Sequence, residues 1–315
     1  NISLMNATVR ITLMYNNVLV TGGSGFLGKR LSIVRPQWTY LSSKDCDLTS
    51  TTQVKELYGD LKPDAVLHLA ARVGGIKDNI KNQAEFFYNN TMMNTNIINE
   101  AYEAGIERVL SSLSTCAFPE DIAAFPFTER DFFNGPPTET NFSYGMTKRM
   151  LQVGSRAYRN QCGMNYSTFC PSNLYGPDDH FGKESSHFVA ALIHKVYTAT
   201  EGSEIDLWGT GLPMRQQLYV DDLCAILPVL LEVHNTEVPL IVAPKENLSI
   251  LEMARTLVEQ AGKNVRLSFN GNMDGQFRKD GNNEELMKLI GSFNFTTFKE
   301  GVTKTYKWYS ENQNE

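Results

Sequence analysis

The sequence lacks the patterns of a disulfide-stapled, zinc-binding or membrane-spanning protein. Its 315 residues include 5 cysteines, an odd number, and no two of them form a C-x-x-C pair. The longest apolar stretches, such as "AILPVLL" at 225–231, fall far short of the roughly 20 residues that a transmembrane helix needs. We therefore expect no disulfide framework, no metal site and no membrane partner.

Positive charge is also scarce. The chain carries 29 lysines and arginines against 35 aspartates and glutamates, a net charge of −6 at pH 7. A chain with this balance is not expected to bind nucleic acid, although a local positive pocket for a small anion is compatible with it.

Three observations favour a cytoplasmic protein. No signal peptide is recognisable, and an odd number of cysteines suits a reducing compartment. The glycosylation sequence "NFS" at 141–143 lies directly against Tyr144, where a glycan would block a functional tyrosine. Residues 1–14 carry no motif, and we interpret them as a leader without an assigned function.

Beyond this segment, apolar runs alternate with amphipathic stretches, which is typical of an α/β fold with a doubly wound parallel sheet of the Rossmann type. We predict a strand, a glycine-rich turn and a helix start within 17–34, strands near 38–42, 64–71, 108–116 and 166–176, and helices near 83–104 and 144–161. A later helix is expected to be capped by Asp221 or Asp222.

After residue 176 the alternation loosens, which indicates a smaller C-terminal substrate domain. We predict a dinucleotide-binding domain made of residues 15–175 and about 214–240. The substrate-binding domain would then comprise about 176–213 and 241–315.

A glycine-rich turn follows the first predicted strand. Gly22, Gly25 and Gly28 form G-x-x-G-x-x-G between "NVLV" and a helix start. Glycines at these places let the backbone approach a pyrophosphate at the helix N-terminus, where free N–H groups and the helix dipole favour anions. The motif predicts a dinucleotide site, and a purely structural turn is the alternative.

The end of the second predicted strand bears on which dinucleotide binds. NAD enzymes place an acidic residue there for the ribose hydroxyls, whereas this chain has Ser42, Ser43 and Lys44. A lysine and two hydroxyls favour the 2′-phosphate of NADP(H); a plain polar turn is the alternative. Asp47 and Leu48 are expected to border the adenine.

Tyr144 and Lys148 are four residues apart in a predicted helix, so their side chains share one face. We expect Tyr144 to exchange a proton with a substrate carbonyl oxygen and Lys148 to lower the pKa of Tyr144. Ser114, at the end of a predicted strand, would donate a hydrogen bond to the same oxygen. The alternative is that Tyr144 and Lys148 are two surface residues without a catalytic role.

Four segments, "TGGSGFLG", "HLAA", "SYGMTK" and "CPSNLYGP", resemble the extended short-chain dehydrogenase/reductase family, which acts mostly on nucleotide sugars. "HLAARVGGIKDN", "SSLSTCAFPE" and "WGTGLPMRQ" are similar to the 3,5-epimerase/4-reductases within that family. The resemblance extends from about residue 17 to 280. It implies NADPH-dependent conversion of GDP-4-keto-6-deoxy-D-mannose to GDP-L-fucose, in a homodimer formed through the helices near 83–104 and 144–161.

The resemblance also implies an acid and a base for the inversions at carbons 3 and 5. Cys116 matches the family's base and His187 its acid, and ordinary pKa values of about 8.5 and 6.5 bracket neutral pH. A cysteine after a strand is otherwise a core residue, and a lone histidine a surface residue. His180, His187 and His194 recur every seven residues, but we reject a metal site; we expect His68 to be a hydrogen-bonded core histidine.

The cofactor-binding and substrate-binding residues follow from the turn and from the matched segments. The residues expected to bind the cofactor are Gly22, Gly23, Ser24, Gly25, Phe26, Leu27, Gly28, Ser43, Lys44, Asp47, Leu48, Leu69, Ala70, Ala71, Ser112, Lys148, Pro171, Asn173, Leu174 and His187. Those expected to bind the substrate are Asn173, Lys195, Trp208, Arg215, Asp274 and Lys279. A buried tryptophan is the alternative for Trp208, and Lys195 stands where the family often has arginine.

Other activities on the same fold are a nucleotide-sugar 4-epimerase with bound NAD, a 4,6-dehydratase and a non-catalytic NADP-sensing protein. A dehydratase would be expected to carry an acidic residue directly after the serine or threonine, where this chain has Ser114-Thr115-Cys116. A 4-epimerase has no use for Cys116 and His187. A sensing protein would typically have lost Tyr144 or Lys148.

Overall fold

A computed structural model describes residues 2–3, 10–11, 14–182, 186–271, 274 and 276–312. The strands in chain order are β1 (Ile2–Ser3), β2 (Arg10–Ile11), β3 (Val18–Thr21), β4 (Thr39–Leu41), β5 (Ala65–His68), β6 (Arg108–Ser112), β7 (Asn165–Pro171), β8 (Asn173–Tyr175), β9 (Glu204–Leu207), β10 (Met214–Arg215), β11 (Gln217–Tyr219), β12 (Leu240–Val242), β13 (Leu248–Ser249), β14 (Arg266–Phe269) and β15 (Arg278–Lys279). The α-helices are α1 (Phe26–Val34), α2 (Thr51–Leu61), α3 (Ile76–Lys81), α4 (Gln83–Glu103), α5 (Phe142–Cys162), α6 (Phe188–Thr198), α7 (Val220–Val233), α8 (Ile250–Ala261), α9 (Glu284–Ile290) and α10 (Phe298–Glu311). Short 3₁₀ helices cover Thr115–Ala117, Glu129–Phe133 and Glu139–Asn141.

The main sheet has six parallel strands in the order β12-β7-β6-β5-β3-β4. Its strands are continuous apolar runs because helices cover both faces. Alternate residues of β3 serve opposite faces: Val18 and Val20 pack with Leu31 of α1 and Leu223 of α7, whereas Leu19 belongs to a second cluster. The predicted doubly wound α/β fold is confirmed.

The second apolar cluster covers the other face of the sheet. It joins Leu19 to Val54 of α2, Ile97 of α4 and Leu151 of α5. The order of the strands reverses at β3, because the chain leaves it for β4 on one side and returns through α2 to β5 on the other. Ligands of doubly wound sheets bind at the carboxyl ends of the strands at such a switch point.

The later segments form a smaller layered region. Two small sheets, the parallel pair β9–β14 and the three strands β13-β10-β15, lie with α6, α8 and α10. These helices share a third apolar cluster that includes Val189, Met253 and Phe298. Strand β12 returns to the main sheet beside β7, so the predicted boundary near 240 falls inside a strand.

Three predicted details are wrong. The strand expected over 108–116 ends at Ser112, since the Ser114 side chain accepts a hydrogen bond from the Cys116 amide and begins a 3₁₀ turn. The strand expected over 166–176 is two strands in different sheets, separated at Ser172.

The third wrong prediction is that Asp221 or Asp222 caps α7. The N-cap is Tyr219, because both carboxylates are engaged elsewhere. Asp221 forms an ion pair with Arg30 at 2.9 Å, and Asp222 accepts hydrogen bonds from Thr296. None of the helices in the described part of the chain is long and apolar enough to cross a membrane.

Candidate active site at the carboxyl edge of the sheet

The turn after β3 is tightly packed against its neighbours. Gly22 has a φ of +75°, and a Cβ atom added there would lie 2.9 Å from the Ala70 amide nitrogen. A Cβ at Gly28 would lie 2.4 Å from the Gly22 carbonyl oxygen, and one at Gly23 would meet Tyr40. Only glycines allow α1 to begin this close to the turn.

Helix α1 presents its N-terminus to the same edge. Gly25 is the N-cap residue and supplies no side-chain hydrogen bond, and Ser24, Phe26 and Leu27 flank it. The first amides of α1 are therefore not capped by a side chain of the N-cap residue, which suits a diphosphate. Leu69, Ala70 and Ala71 follow β5 directly across the switch point.

The turn after β4 holds Ser43 and Lys44, whose side chains are exposed. Asp45 also lies here and was not predicted, although its spacing from Ser42 is the S-x-x-D pattern of a capping box. The Asp45 carboxylate accepts hydrogen bonds from the Ser42 amide and hydroxyl, which lower the pKa of Asp45. An acidic residue thus lies at the strand edge that the sequence assigned to serine and lysine alone.

Asp47 and Leu48 lie further along this turn. The Asp47 side chain accepts from the Thr49 amide and hydroxyl. Leu48 is buried in the second apolar cluster, and its carbonyl accepts a hydrogen bond from Asn96. The side chain of Leu48 is therefore a core group, and only its backbone is available to a ligand.

Ser114, Cys116 and Tyr144 are brought together by close packing of α5 on the 3₁₀ turn. A Cβ at Gly145 would lie only 2.6 Å from the Cys116 carbonyl oxygen. Ser114 hydrogen-bonds the Tyr144 phenol, which acts to lower the pKa of Tyr144. Burial and the nearby Cys116 outweigh this effect, so the pKa of Tyr144 is raised above its ordinary value.

The expected lowering of the Tyr144 pKa by Lys148 is not observed. The Lys148 ammonium lies 5.9 Å from the centroid of the Tyr144 ring and donates a 2.7 Å hydrogen bond to the Ser112 carbonyl. Burial lowers the pKa of Lys148 itself to about 8. The lysine is held at the carboxyl end of β6 rather than against the phenol oxygen.

A buried polar chain crosses from the turn to α5. The Thr21 hydroxyl lies 2.8 Å from Nδ1 of His68, and Nε2 of His68 lies 3.0 Å from the Asn94 side-chain oxygen. Asn94 donates to the Thr147 carbonyl. Burial and the charge of Lys148 lower the pKa of His68 to about 4, so this histidine is neutral at neutral pH. The prediction of a hydrogen-bonded core histidine is confirmed.

Cys116 has a charged neighbour from the smaller region. The Lys279 ammonium lies 3.6 Å from the Cys116 sulfur. Cys170, one residue before Pro171 at the end of β7, is fully buried on the same side, and burial raises its pKa. Lys279 was expected as a contact of the substrate; the structure places it against the candidate base.

His187 is the N-cap residue of α6. Its side chain is 62% exposed, and its Nδ1 is 3.8 Å from a carboxylate oxygen of Asp179. Hydrogen bonding to Asp179 raises the pKa of His187, burial opposes the rise, and the Asp179 charge adds to it. Sequence reasoning missed Asp179, and "GPDDHF" contained no signal that separated it from Asp178.

The other residues expected to contact the substrate lie in the smaller region and in β8. Arg215 and Lys279 are register partners of β10 and β15, and burial lowers the pKa of Arg215. Asp274 is exposed and accepts hydrogen bonds from Thr210. Asn173 and Leu174 begin β8, directly after β7.

Two further residues expected to bind the substrate, Lys195 and Trp208, have contacts within the protein. The Lys195 ammonium donates to the Asp206 carbonyl at 2.7 Å. Trp208 is 70% exposed, with the Lys77 ammonium 5.5 Å from its ring centroid, so the alternative of a buried tryptophan is wrong.

Comparisons with known proteins show the family to which this chain belongs. The model of the NAD dependent epimerase/dehydratase family matches residues 18–242. A probable GDP-L-fucose synthase of Drosophila melanogaster is 34% identical, covering 94% of this chain and 97% of that protein. The GDP-L-fucose synthase of Dictyostelium discoideum is also 34% identical, over 96% of this chain and 97% of that protein.

Among solved structures, the crystal structure of a GDP-L-fucose synthetase from Naegleria fowleri bound to NADP matches with a TM-score of 0.88 and 33% identity. The match covers 98% of this chain and 97% of that chain. The chain therefore belongs to the NAD dependent epimerase/dehydratase family and, within it, to the GDP-L-fucose synthases.

Proposed function

We propose that this protein converts GDP-4-keto-6-deoxy-D-mannose to GDP-L-fucose with NADPH, by inversion at carbons 3 and 5 followed by reduction at carbon 4. The observation that carries the proposal is the cluster of Ser114, Cys116, Tyr144 and Lys148 beyond the end of β6, in a chain that matches the synthases over nearly its full length.

NADPH supplies the hydride for the reduction when it is bound. The glycine turn would receive its diphosphate, since the positions of Gly22 and Gly28 leave no room for side chains. Ser43 and Lys44 would lie beside the adenosine phosphate, and the backbone after β7, from Pro171 to Leu174, beside the nicotinamide.

Tyr144 donates a proton to the oxygen at carbon 4 as the hydride arrives, and Ser114 donates a hydrogen bond to that oxygen. Lys148 binds the nicotinamide ribose and keeps a positive charge near the phenol. The phenol is protonated at neutral pH, because its pKa is raised, and so it begins in the form that a proton donor requires.

Inversion at carbons 3 and 5 requires a base and an acid on opposite faces of the ring. We assign the base to Cys116, because it lies beside Ser114 and Tyr144 and the positively charged Lys279 side chain is 3.6 Å from its sulfur. We assign the acid to His187, whose raised pKa favours the imidazolium. Cys116 and His187 can act at both carbons if the sugar ring changes its position in the site between the two inversions.

The diphosphate of the substrate would lie between cations of the smaller region. Arg215 of β10 and Lys279 of β15 are register partners, so two positive side chains are neighbours. A bound anion would reduce the repulsion between them. Lys195 would exchange the Asp206 carbonyl for a phosphate oxygen, and Trp208 would cover the nucleotide. Asn173 would contact the sugar and Asp274 the nucleotide.

The overall organisation is part of the proposal. We divide the chain into a cofactor-binding unit and a substrate-binding unit as predicted, with the boundary near 240 placed after β12. A homodimer formed through α4 and α5 is supported by exposed apolar side chains on those helices, among them Phe87, Met150 and Val153. Five free cysteines support a reducing, cytoplasmic location.

The direct test incubates the protein with GDP-4-keto-6-deoxy-D-mannose and NADPH and follows the absorbance of the reduced nicotinamide. GDP-L-fucose should appear in the amount of NADPH consumed. Tyr144→Phe should stop NADPH oxidation and retain exchange of solvent deuterium into carbon 3. Cys116→Ser should abolish exchange and still permit direct reduction of the unepimerised ketone. NADPH that binds but stays unoxidised would contradict the proposal.

A further inference from the structure

Asp179 is a buried carboxylate whose surroundings do not satisfy it. It lies in the turn between β8 and α6, and its side chain is 1% exposed. One carboxylate oxygen accepts from the His180 amide at 2.7 Å, whereas the other is buried and has no partner among the described residues. A buried carboxylate without its full set of hydrogen bonds is unfavourable for folding, so its presence calls for a role.

Among the described residues, the ionisable side chain that pairs with Asp179 is His187. Nδ1 of the imidazole is 3.8 Å from the oxygen that already accepts from His180, so the ring faces the carboxylate by that edge. Most of the imidazole is exposed, at 62%. No described residue hydrogen-bonds Nε2 of His187, so this nitrogen can meet a ligand while Nδ1 is turned towards the carboxylate.

We propose that Asp179 is a positioning residue that keeps His187 in its imidazolium form, with Nδ1 directed to the carboxylate and Nε2 directed to the sugar ring. The inference rests on the proposed role of His187 as the acid. Neither the family motifs nor the sequence patterns pointed to Asp179.

The proton balance is simple. The N–H bond at Nε2 breaks, and its proton goes to the ring carbon of the substrate enolate. The imidazole is then neutral and still carries the proton on Nδ1, which Asp179 holds. Asp179 takes no part in the proton transfer and acts only through the imidazole. At 3.8 Å the two atoms are in ion-pair contact, and contacts of this kind in a ligand-free active site commonly tighten into hydrogen bonds when the substrate binds.

Two acidic residues near Asp179 in the sequence provide control variants for Asp179→Asn. Asp178 is adjacent in sequence but is paired with Arg30 at 3.4 Å, and its φ of +67° is one that asparagine also adopts. Lys183 and Glu184 lie outside the described residues, so the test also includes Glu184→Gln. Asp179→Asn keeps the size of the side chain and its acceptor for the His180 amide but removes the charge.

The first measurement is a pH titration of ¹³C-labelled histidine rings by NMR, with His187 assigned from the spectrum of His187→Gln. In the natural protein the His187 midpoint should lie above the ordinary value of about 6.5. In Asp179→Asn it should fall by about one pH unit, which reduces the imidazolium fraction roughly tenfold on the alkaline side. Asp178→Asn and Glu184→Gln should leave it unchanged.

The second measurement is deuterium exchange into the substrate. Asp179→Asn should lose about tenfold in exchange rate near pH 8 and much less near pH 6, where both proteins carry the imidazolium. A purely structural role would lower the rate equally at every pH.

The proposal is overturned if the midpoint in the natural protein lies at or below about 6.5, a result that needs no variant to fold. It is also overturned if either control variant shifts the midpoint as much as Asp179→Asn. Failure of the proposed function is distinguishable, because a protein without synthase activity would still show the coupling of Asp179 to His187 in the titration.

Discussion

The contact between Lys279 and Cys116 gives a prediction for a single residue. Lys279→Met should slow the alkylation of Cys116 by iodoacetamide several-fold near pH 7, because the positive charge 3.6 Å from the reacting sulfur is removed. The rate is followed on the Cys116 peptide by mass spectrometry. No substrate is present, so the loss of a substrate contact cannot produce the effect.

The matched control is Lys288→Met, an exposed lysine paired with Glu285. It should leave the alkylation rate unchanged. Equal rates near pH 7 would remove the support that Lys279 gives to Cys116 as the base.

Lys148 illustrates a functional residue that is unfavourable for stability. Burial lowers its pKa from 10.5 to about 8, so between those values the unfolded chain binds more protons than the folded one, and stability rises with pH. At neutral pH the buried ammonium therefore lowers the free energy of unfolding. Lys148→Met should abolish reduction but raise that free energy by about 2 kcal/mol, after the lost hydrogen bond to Ser112 is subtracted.

Urea unfolding at about pH 7 and pH 10 measures this effect. The gain should be full at the lower pH and smaller at the higher one, where the lysine is largely neutral when folded. Lys55→Met, at an exposed position of α2, should change little. A variant of Lys148 that is less stable at pH 7 would show that packing or the Ser112 contact outweighs desolvation.

At the scale of elements, the turn between β3 and α1 depends on the close approach of Gly22 to the backbone of Ala70 as well as on the φ angle of Gly22. Gly22 and Gly105 have nearly the same φ, +75° and +72°, but a Cβ at Gly105 meets nothing within 4 Å. Both alanine variants should lose about 1 kcal/mol of stability from strain. Only Gly22→Ala should also weaken NADPH binding, by at least about tenfold, because the turn must shift away from Ala70.

Fluorescence titration with NADPH, alongside urea unfolding, separates the two effects. Comparable losses of affinity in both variants would mean that strain, not the approach to Ala70, governs the turn.

The elements that sequence reasoning described best are those defined by local pattern. The glycine turn, the strands around it and the helix that carries Tyr144 and Lys148 were all recognisable, because apolar periodicity and glycine placement act within a few residues. The end of β6 was not, because Ser114 begins a 3₁₀ turn through a hydrogen bond that a pattern of apolar residues does not reveal.

For the whole molecule, the exposed apolar side chains of α4 and α5 predict a dimer. Met150 is 55% exposed and Val153 45%, on helices that pack against each other. The double variant Met150→Glu/Val153→Glu should be monomeric in analytical ultracentrifugation, since buried charges oppose association. Ile33→Glu, at an equally exposed apolar position on α1, should stay dimeric. A monomeric natural protein would contradict the prediction.

The sequence by itself determined the fold class and the cofactor turn, because each depends on residue types at short, fixed spacings. The reacting groups that it pointed to stay predictions. Only the tertiary structure decided which charges face those groups. Lys279 reaches Cys116 across 163 positions of the chain, and His68 reaches Thr21 across 47. Interactions of this kind arise from the packing of separate elements, and the resulting burial raised the pKa of Tyr144 where the spacing to Lys148 alone had predicted a lower one.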